Sequence, residues 1–259
     1  MLESTTLSRI TDWEWRRAVV LTVPFAIGFG AILLAESIAI ARIDRWLPID
    51  SFEAAAKYSL YVSAVALWLR LCLVGGAVYV VLKSRGSRLR PGFLWYWGMV
   101  GFALALALLA VDLWGHQIQF GEIASDGVTQ RWLWLATLYV RIICYYIAVR
   151  LVLGATCLGD EDRRGSLKAT WIATTTRQSL VWFLALLAVK LFIDGVIVDF
   201  VSYAPVISPF WFIPDELSPM RYFVGHGIDI ITQSCGVFLY VAFWIVADHW
   251  LRAHQRGAS

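Results

Sequence analysis

Six apolar runs, each longer than 18 residues, alternate with short polar connections along the chain: 18–41, 58–82, 92–114, 132–155, 178–201 and 225–250. A run of that length matches the roughly 30 Å hydrocarbon core of a bilayer when wound as a helix. Helix is the conformation required, because no water is there to satisfy backbone N–H and C=O groups. The expected fold is therefore an all-α integral membrane bundle of six transmembrane helices, forming one domain over residues 1–259. Composition agrees: 59% of residues are hydrophobic, 16% are charged and the mean hydropathy is +0.67. The first run is too long for the apolar part of a signal peptide and is read as a retained span. Asp50 and Glu53 have the spacing of a capping box, which would start the second helix before its apolar run.

Orientation follows from Lys and Arg outside the runs. One side collects 13, at positions 9, 16, 17, 83, 85, 88, 90, 163, 164, 168, 177, 252 and 256; the other collects five, at 42, 45, 57, 131 and 221. The positive-inside rule places the first side, with both termini, in the cytoplasm. Tryptophans fit interfacial belts, with Trp95, Trp97, Trp182 and Trp250 inside and Trp46, Trp114, Trp132 and Trp134 outside. The connection after the fifth run, "YAPVISPFWFIPDELSPMRYF", holds four prolines yet is aromatic and apolar. That composition suits a segment lying in the outer headgroup layer rather than a regular helix.

Charges inside the runs are the candidate functional residues. Arg70 lies twelve residues from the outer start of its run, Arg141 nine from its own, and Lys190 twelve from its inner start. All three are near mid-depth, beyond the reach of snorkelling across half of a roughly 30 Å core. Glu36, Asp112, Asp194, Asp199 and Asp229 lie in the outer half or at its edge. Lys190 and Asp194 are four apart and share a helix face. A lone charge at the bilayer centre costs about 2.5–3.5 kcal/mol on insertion scales. The cations are thus expected to pair within the bundle: Lys190 with Asp194, and Arg70 or Arg141 with Glu36, Asp194 or Asp229. Arg150, near the inner end of the fourth run, is expected to reach the cytoplasmic headgroups. Below the cations few polar residues follow, so the pattern favours a blind outer cavity over a conduit.

Familiar chemistry is missing. No glycine-rich phosphate loop, metalloprotease motif, serine elbow or Cys-x-x-Cys occurs, and the four cysteines are scattered singly. No cofactor, metal site or catalytic residue is expected. The acidic stretch in "GDEDRRGS" reads as a solvated charge run, and a formal net charge of +3 gives no nucleic-acid footprint.

Residues 149–187, "VRLVLGATCLGDEDRRGSLKATWIATTTRQSLVWFLALL", carry the most informative local pattern. Arg150-Leu151 leaves a span, a short polar loop follows, and Ser166, Leu167, Ala169, Trp171 and Thr174 precede the next span. The segment resembles bacterial six-helix membrane proteins related to the membrane domain found with some glycerophosphodiester phosphodiesterases. It lacks the proline usual after Arg-Leu, and it has Arg177-Gln178 where Gly-Asn is common. The resemblance implies an inner-membrane helical protein with a short in-plane helix over residues 166–176. It transfers no catalytic residue, because the phosphodiesterase activity belongs to a separate soluble domain.

The resulting expectation is a non-catalytic multi-pass protein of the bacterial inner membrane, an accessory subunit or a lipid or small-ligand binder. Its site residues would be Glu36, Arg70, Arg141, Lys190, Asp194 and Asp229, and its partners membrane lipids and other membrane subunits, not nucleic acid. A small ion-coupled transporter using the same charges is the alternative. Arg outnumbers Lys 18 to 4, in keeping with a GC-rich bacterial genome.

Overall fold

The computed structural model describes residues 12–42, 52–86, 89, 91–120, 127–158, 167–192 and 219–256, and they are helical with no strand among them. The helices are α1 (Asp12–Ala41), α2 (Phe52–Ser84), α3 (Gly92–Phe120), α4 (Gly127–Leu158), α5 (Leu167–Ile172), α6 (Thr176–Leu191) and α7 (Pro219–Arg256). Five contain stretches long and apolar enough to cross a membrane: Glu14–Ile40, Ala54–Ser84, Gly92–His116, Leu135–Thr156 and Ile230–Trp250. The expected fifth span begins in α6, whose 16 residues rise about 24 Å; the remainder of 178–201 lies outside the described residues. So do Asp50 of the expected capping box and the proline-rich connection up to residue 218.

Neighbouring helices run antiparallel. Arg85 at the end of α2 meets Glu14 at the start of α1, 3.7 Å apart. Further along the same pair, Gly76 receives the Phe25 ring and Gly28 faces Leu73. In α1 the residues Thr22, Ala26, Phe29 and Leu33 are buried, while Val20, Val23, Ile27 and Leu34 are exposed. Buried positions recur at helical spacing, but the exposed face is just as apolar. Lipid accounts for that: it demands no polar outer stripe. The face where α1 begins and α7 ends is called the terminal face below.

Aromatic rings fill the centre near that face. Trp97 of α3 is 6% exposed and packs edge-on against Phe93 and Trp244, the latter from α7. Its indole Nε1 donates to the Leu71 carbonyl of α2 at 2.8 Å. A helix carbonyl has a second lone pair, so it can accept this bond without losing its own helical one. The close α2–α3 approach needs Gly75, because any side chain there would collide with the Trp97 indole. Trp182 of α6 is likewise buried, edge-on to Phe243 and Trp250 of α7. Trp97 and Trp182 are therefore core residues, not members of the expected inner belt. Trp95, Trp114 and Trp132 are exposed, as belt residues should be.

Between α4 and α6 the chain makes a tight elbow. The short helix α5 lies so close to α4 that a methyl group on Gly154 would overlap the Thr170 carbonyl, whose carbon is 2.6 Å from that position. Tyr96 of α3 and Thr170 share a 2.8 Å hydroxyl bond. Arg150 closes the elbow. Its guanidinium donates to the carbonyls of Trp171 and Thr174 and to the Thr176 hydroxyl, each at 3.3 Å, and stacks 3.9 Å from the Trp171 ring centre. The Trp171 carbonyl belongs to the last turn of α5, where a helix leaves acceptors unsatisfied, and the Thr174 carbonyl lies in the turn just beyond it. Arg150 is only 8% exposed, so the expected reach to headgroups is wrong: the carbonyls and the indole face hold it inward. Thr175 and Gln178 then form a reciprocal capping box that starts α6. The expected short helix before the fifth span exists, shorter than 166–176 and docked into the bundle through Thr170.

Candidate binding cavity

A cavity of about 590 Å³ lies within the bundle, lined mainly by α2, α3, α4, α6 and α7. Along α3 its wall runs from Trp97 to Asp112, fifteen residues or about 22 Å of helix. That is most of a bilayer's hydrocarbon thickness. Arg141, Asp112 and Lys190 line the end far from the terminal face, Arg70 and Gln233 line its middle, and Trp97, Val149, Val152 and Trp244 line the other end. The cavity therefore extends deeper than the expected blind outer chamber, and its deep part is apolar and aromatic apart from Tyr240.

The helices position the charges as follows. Arg70, half-buried midway along α2, donates from Nε to the Ala66 carbonyl one turn back at 3.3 Å. Its Nη2 reaches Glu36 of α1 at 3.1 Å, with side-chain exposures of 17% and 13%. The Phe29 ring, 5.9 Å from the guanidinium carbon, completes the surroundings. This pairing is one of those the spacing allows. Arg141 on α4 instead pairs with Asp112 of α3, which is not among its expected partners Glu36, Asp194 and Asp229. Asp112 sits nearer the helix end than Arg141, and the long Arg side chain closes that difference in depth. This pair is more open, at 47% and 29% exposure. The carboxylate ladder of the outer half holds the relevant signal, since Asp112 belongs to it.

Lys190 projects from α6 onto the same cavity as both arginines. The structure thus brings three cations from three different helices to one half-open cavity. Asp194 lies outside the described residues, and Asp229 falls on α7 with its side chain outside them, so neither is placed by the structure. Tyr145 and Tyr240 add hydroxyls to the lining.

Chemically, the arrangement offers fixed positive charge at one end of a slot and apolar wall at the other. Within a membrane such charges act in low dielectric and keep much of their strength. Fold and cavity together define the class: an all-helical protein with five helices long and apolar enough to cross a membrane and a charged cavity among its helices. The chain matches no family model, no curated protein and no solved structure, so that class stands on the geometry alone.

Proposed function

We propose that the chain is a non-catalytic, six-span bacterial inner-membrane protein that binds a lipid or other small ligand in this cavity, with both termini in the cytoplasm. The observation that carries the reading is the convergence of Arg70, Arg141 and Lys190 on one cavity of about 590 Å³. That volume falls within the roughly 300–1,000 Å³ of small-molecule sites, which are mostly apolar with a few placed polar groups. A purely structural ion network would need no such space. The 13-to-5 distribution of basic residues supports the orientation. The likeness to membrane domains accompanying glycerophosphodiester phosphodiesterases supports the six-span architecture, and service as an accessory subunit is compatible with binding.

The test is gentle purification followed by mass spectrometry of whatever remains bound, beside flux assays in proteoliposomes. Retained ligand, lost in Arg70→Gln or Arg141→Gln variants and without flux, is the expected result. Proton or solute flux abolished by Lys190→Ala would replace this reading with the ion-coupled carrier.

A further inference from the structure

We infer that the ligand is an anionic amphiphile with a long apolar chain, its headgroup at Arg141 and Lys190 and its chain directed toward Trp97 and Trp244. The inference rests on the binding reading above and adds to it the ligand's charge and chain length.

Charge comes from the lining. The described charged residues facing the cavity are Arg70, Arg141, Lys190 and Asp112. Arg70 is committed to Glu36 and to its own helix. Arg141 is different: a guanidinium carries five N–H donors in a planar fork, and its described bond, to Asp112, uses one nitrogen. Asp112 thus orients the fork and leaves donors for an oxyanion, the geometry that suits carboxylate or phosphate. A neutral headgroup would accept from those donors without the charge assistance that an oxyanion adds.

Chain length comes from the wall. From Arg141 to Val152 along α4 is eleven residues, about 16 Å, and the α3 wall runs about 22 Å. An extended chain advances about 1.25 Å per carbon, from single bonds near 1.52 Å at near-tetrahedral angles. The slot therefore takes about 13 to 18 carbons. A free fatty acid and a lysophospholipid with an anionic headgroup both have this chemistry.

The experiment measures binding to the purified full chain in mild detergent by native mass spectrometry. The probes are saturated fatty acids from 8 to about 22 carbons, lysophosphatidylglycerol, and the neutral comparators hexadecanol and lysophosphatidylcholine. Anionic probes should bind at least about tenfold more tightly than neutral ones of equal length, with an optimum at about 13–18 carbons and a fall beyond it. The fatty acid and lysophosphatidylglycerol arms identify the source. Arg141→Gln should remove the anionic preference while neutral binding persists, and Val149→Phe should move the optimum to shorter chains. If Val149→Phe fails to fold, the length optimum of the unaltered chain alone decides. Binding without anionic preference, or without a length optimum, overturns this inference and leaves the binding reading intact. Absence of binding to every probe and of any co-purifying ligand overturns both.

Discussion

Replacing Gly154 by Ala should undock α5, although in an unconstrained helix the same change would help. Ala is favoured over Gly in a helix interior by about 0.8–1 kcal/mol. At this position the new methyl would meet the Thr170 carbonyl carbon at 2.6 Å, where ordinary contact starts at 3.4 Å. The least displacement is the difference, 3.4 − 2.6, or 0.8 Å, and the carbonyl oxygen is closer still. Taken along the Tyr96–Thr170 bond, that shift stretches 2.8 Å to about 3.6 Å, outside hydrogen-bonding range. Arg150's bonds to the Trp171 and Thr174 carbonyls begin at 3.3 Å and would also be lost. One neutral bond contributes about 1 kcal/mol and each bond to a charged group about 1.5–3 kcal/mol. After the helix-propensity gain, the net effect is a loss of about 3–6 kcal/mol in the docking of α5. Hydrogen exchange on the protein in nanodiscs reads this directly. Amide protection in the peptide covering residues 167–179 should fall by about two to four orders of magnitude, while α2 and α3 stay protected. Equal or increased protection would refute the steric reasoning, since propensity alone would then be governing the site.

Three further outcomes follow from the same geometry. Arg70→Gln should lower stability by about 3–5 kcal/mol because it strands the Glu36 carboxylate, whereas adding Glu36→Gln should recover much of that; thermal unfolding in detergent gives the cycle, and a double variant no better than the single one would dissolve the pair. Trp97→Phe should cost only about 1 kcal/mol, since the Leu71 carbonyl keeps its helical bond, against about 3–5 kcal/mol for Trp97→Ala; similar melting shifts for the two would mean that the indole hydrogen bond, not ring packing, holds Trp97 in place. Arg150→Lys should loosen residues 167–179 nearly as much as Gly154→Ala, because an ammonium cannot fork between two carbonyls while stacking on an indole; wild-type exchange rates there would exclude that role.

Spans are readable in the chain because membrane thickness imposes a length that few other constraints mimic. Mid-depth charge is readable for the same reason: counting from a span end locates Arg70, Arg141 and Lys190 along the membrane normal. Azimuth is not. A tryptophan a few residues inside a span looks the same whether it faces out from the bundle, as Trp95 does, or turns inward onto Trp244, as Trp97 does. Arg150 is misplaced by depth counting in a similar way, because distance to the interface permits snorkelling but says nothing of the α5 carbonyls that hold the side chain inward. Partner choice for Arg141 depends on side-chain reach, which helix counting ignores. Gly154 carries no visible meaning until the backbone of another helix is set against it.

The elbow and the cavity are both built on α4, and this links them. Val149 and Val152 face the slot, Arg150 and Gly154 face the elbow, and Leu153 between them is fully buried. Arg141 stands nine residues before Arg150, about 13 Å along a helix that transmits axial displacement. A helix anchored at the terminal face by α5 therefore presents Arg141 to Asp112 at a fixed height. Undocking α5 removes that anchor, and the exposed Arg141–Asp112 pair is too weak to replace it, since partly exposed pairs contribute about 0–1 kcal/mol. The physical consequence is directional. Substitutions at Gly154 or Arg150 should reduce occupancy of the cavity without touching it, whereas Arg141→Gln should remove anionic ligand from the cationic end and leave α5 protected. Occupancy by native mass spectrometry and exchange at residues 167–179, measured on the same three variants, separate the two effects; loss of α5 protection in Arg141→Gln would mean that the pair holds the elbow rather than the reverse.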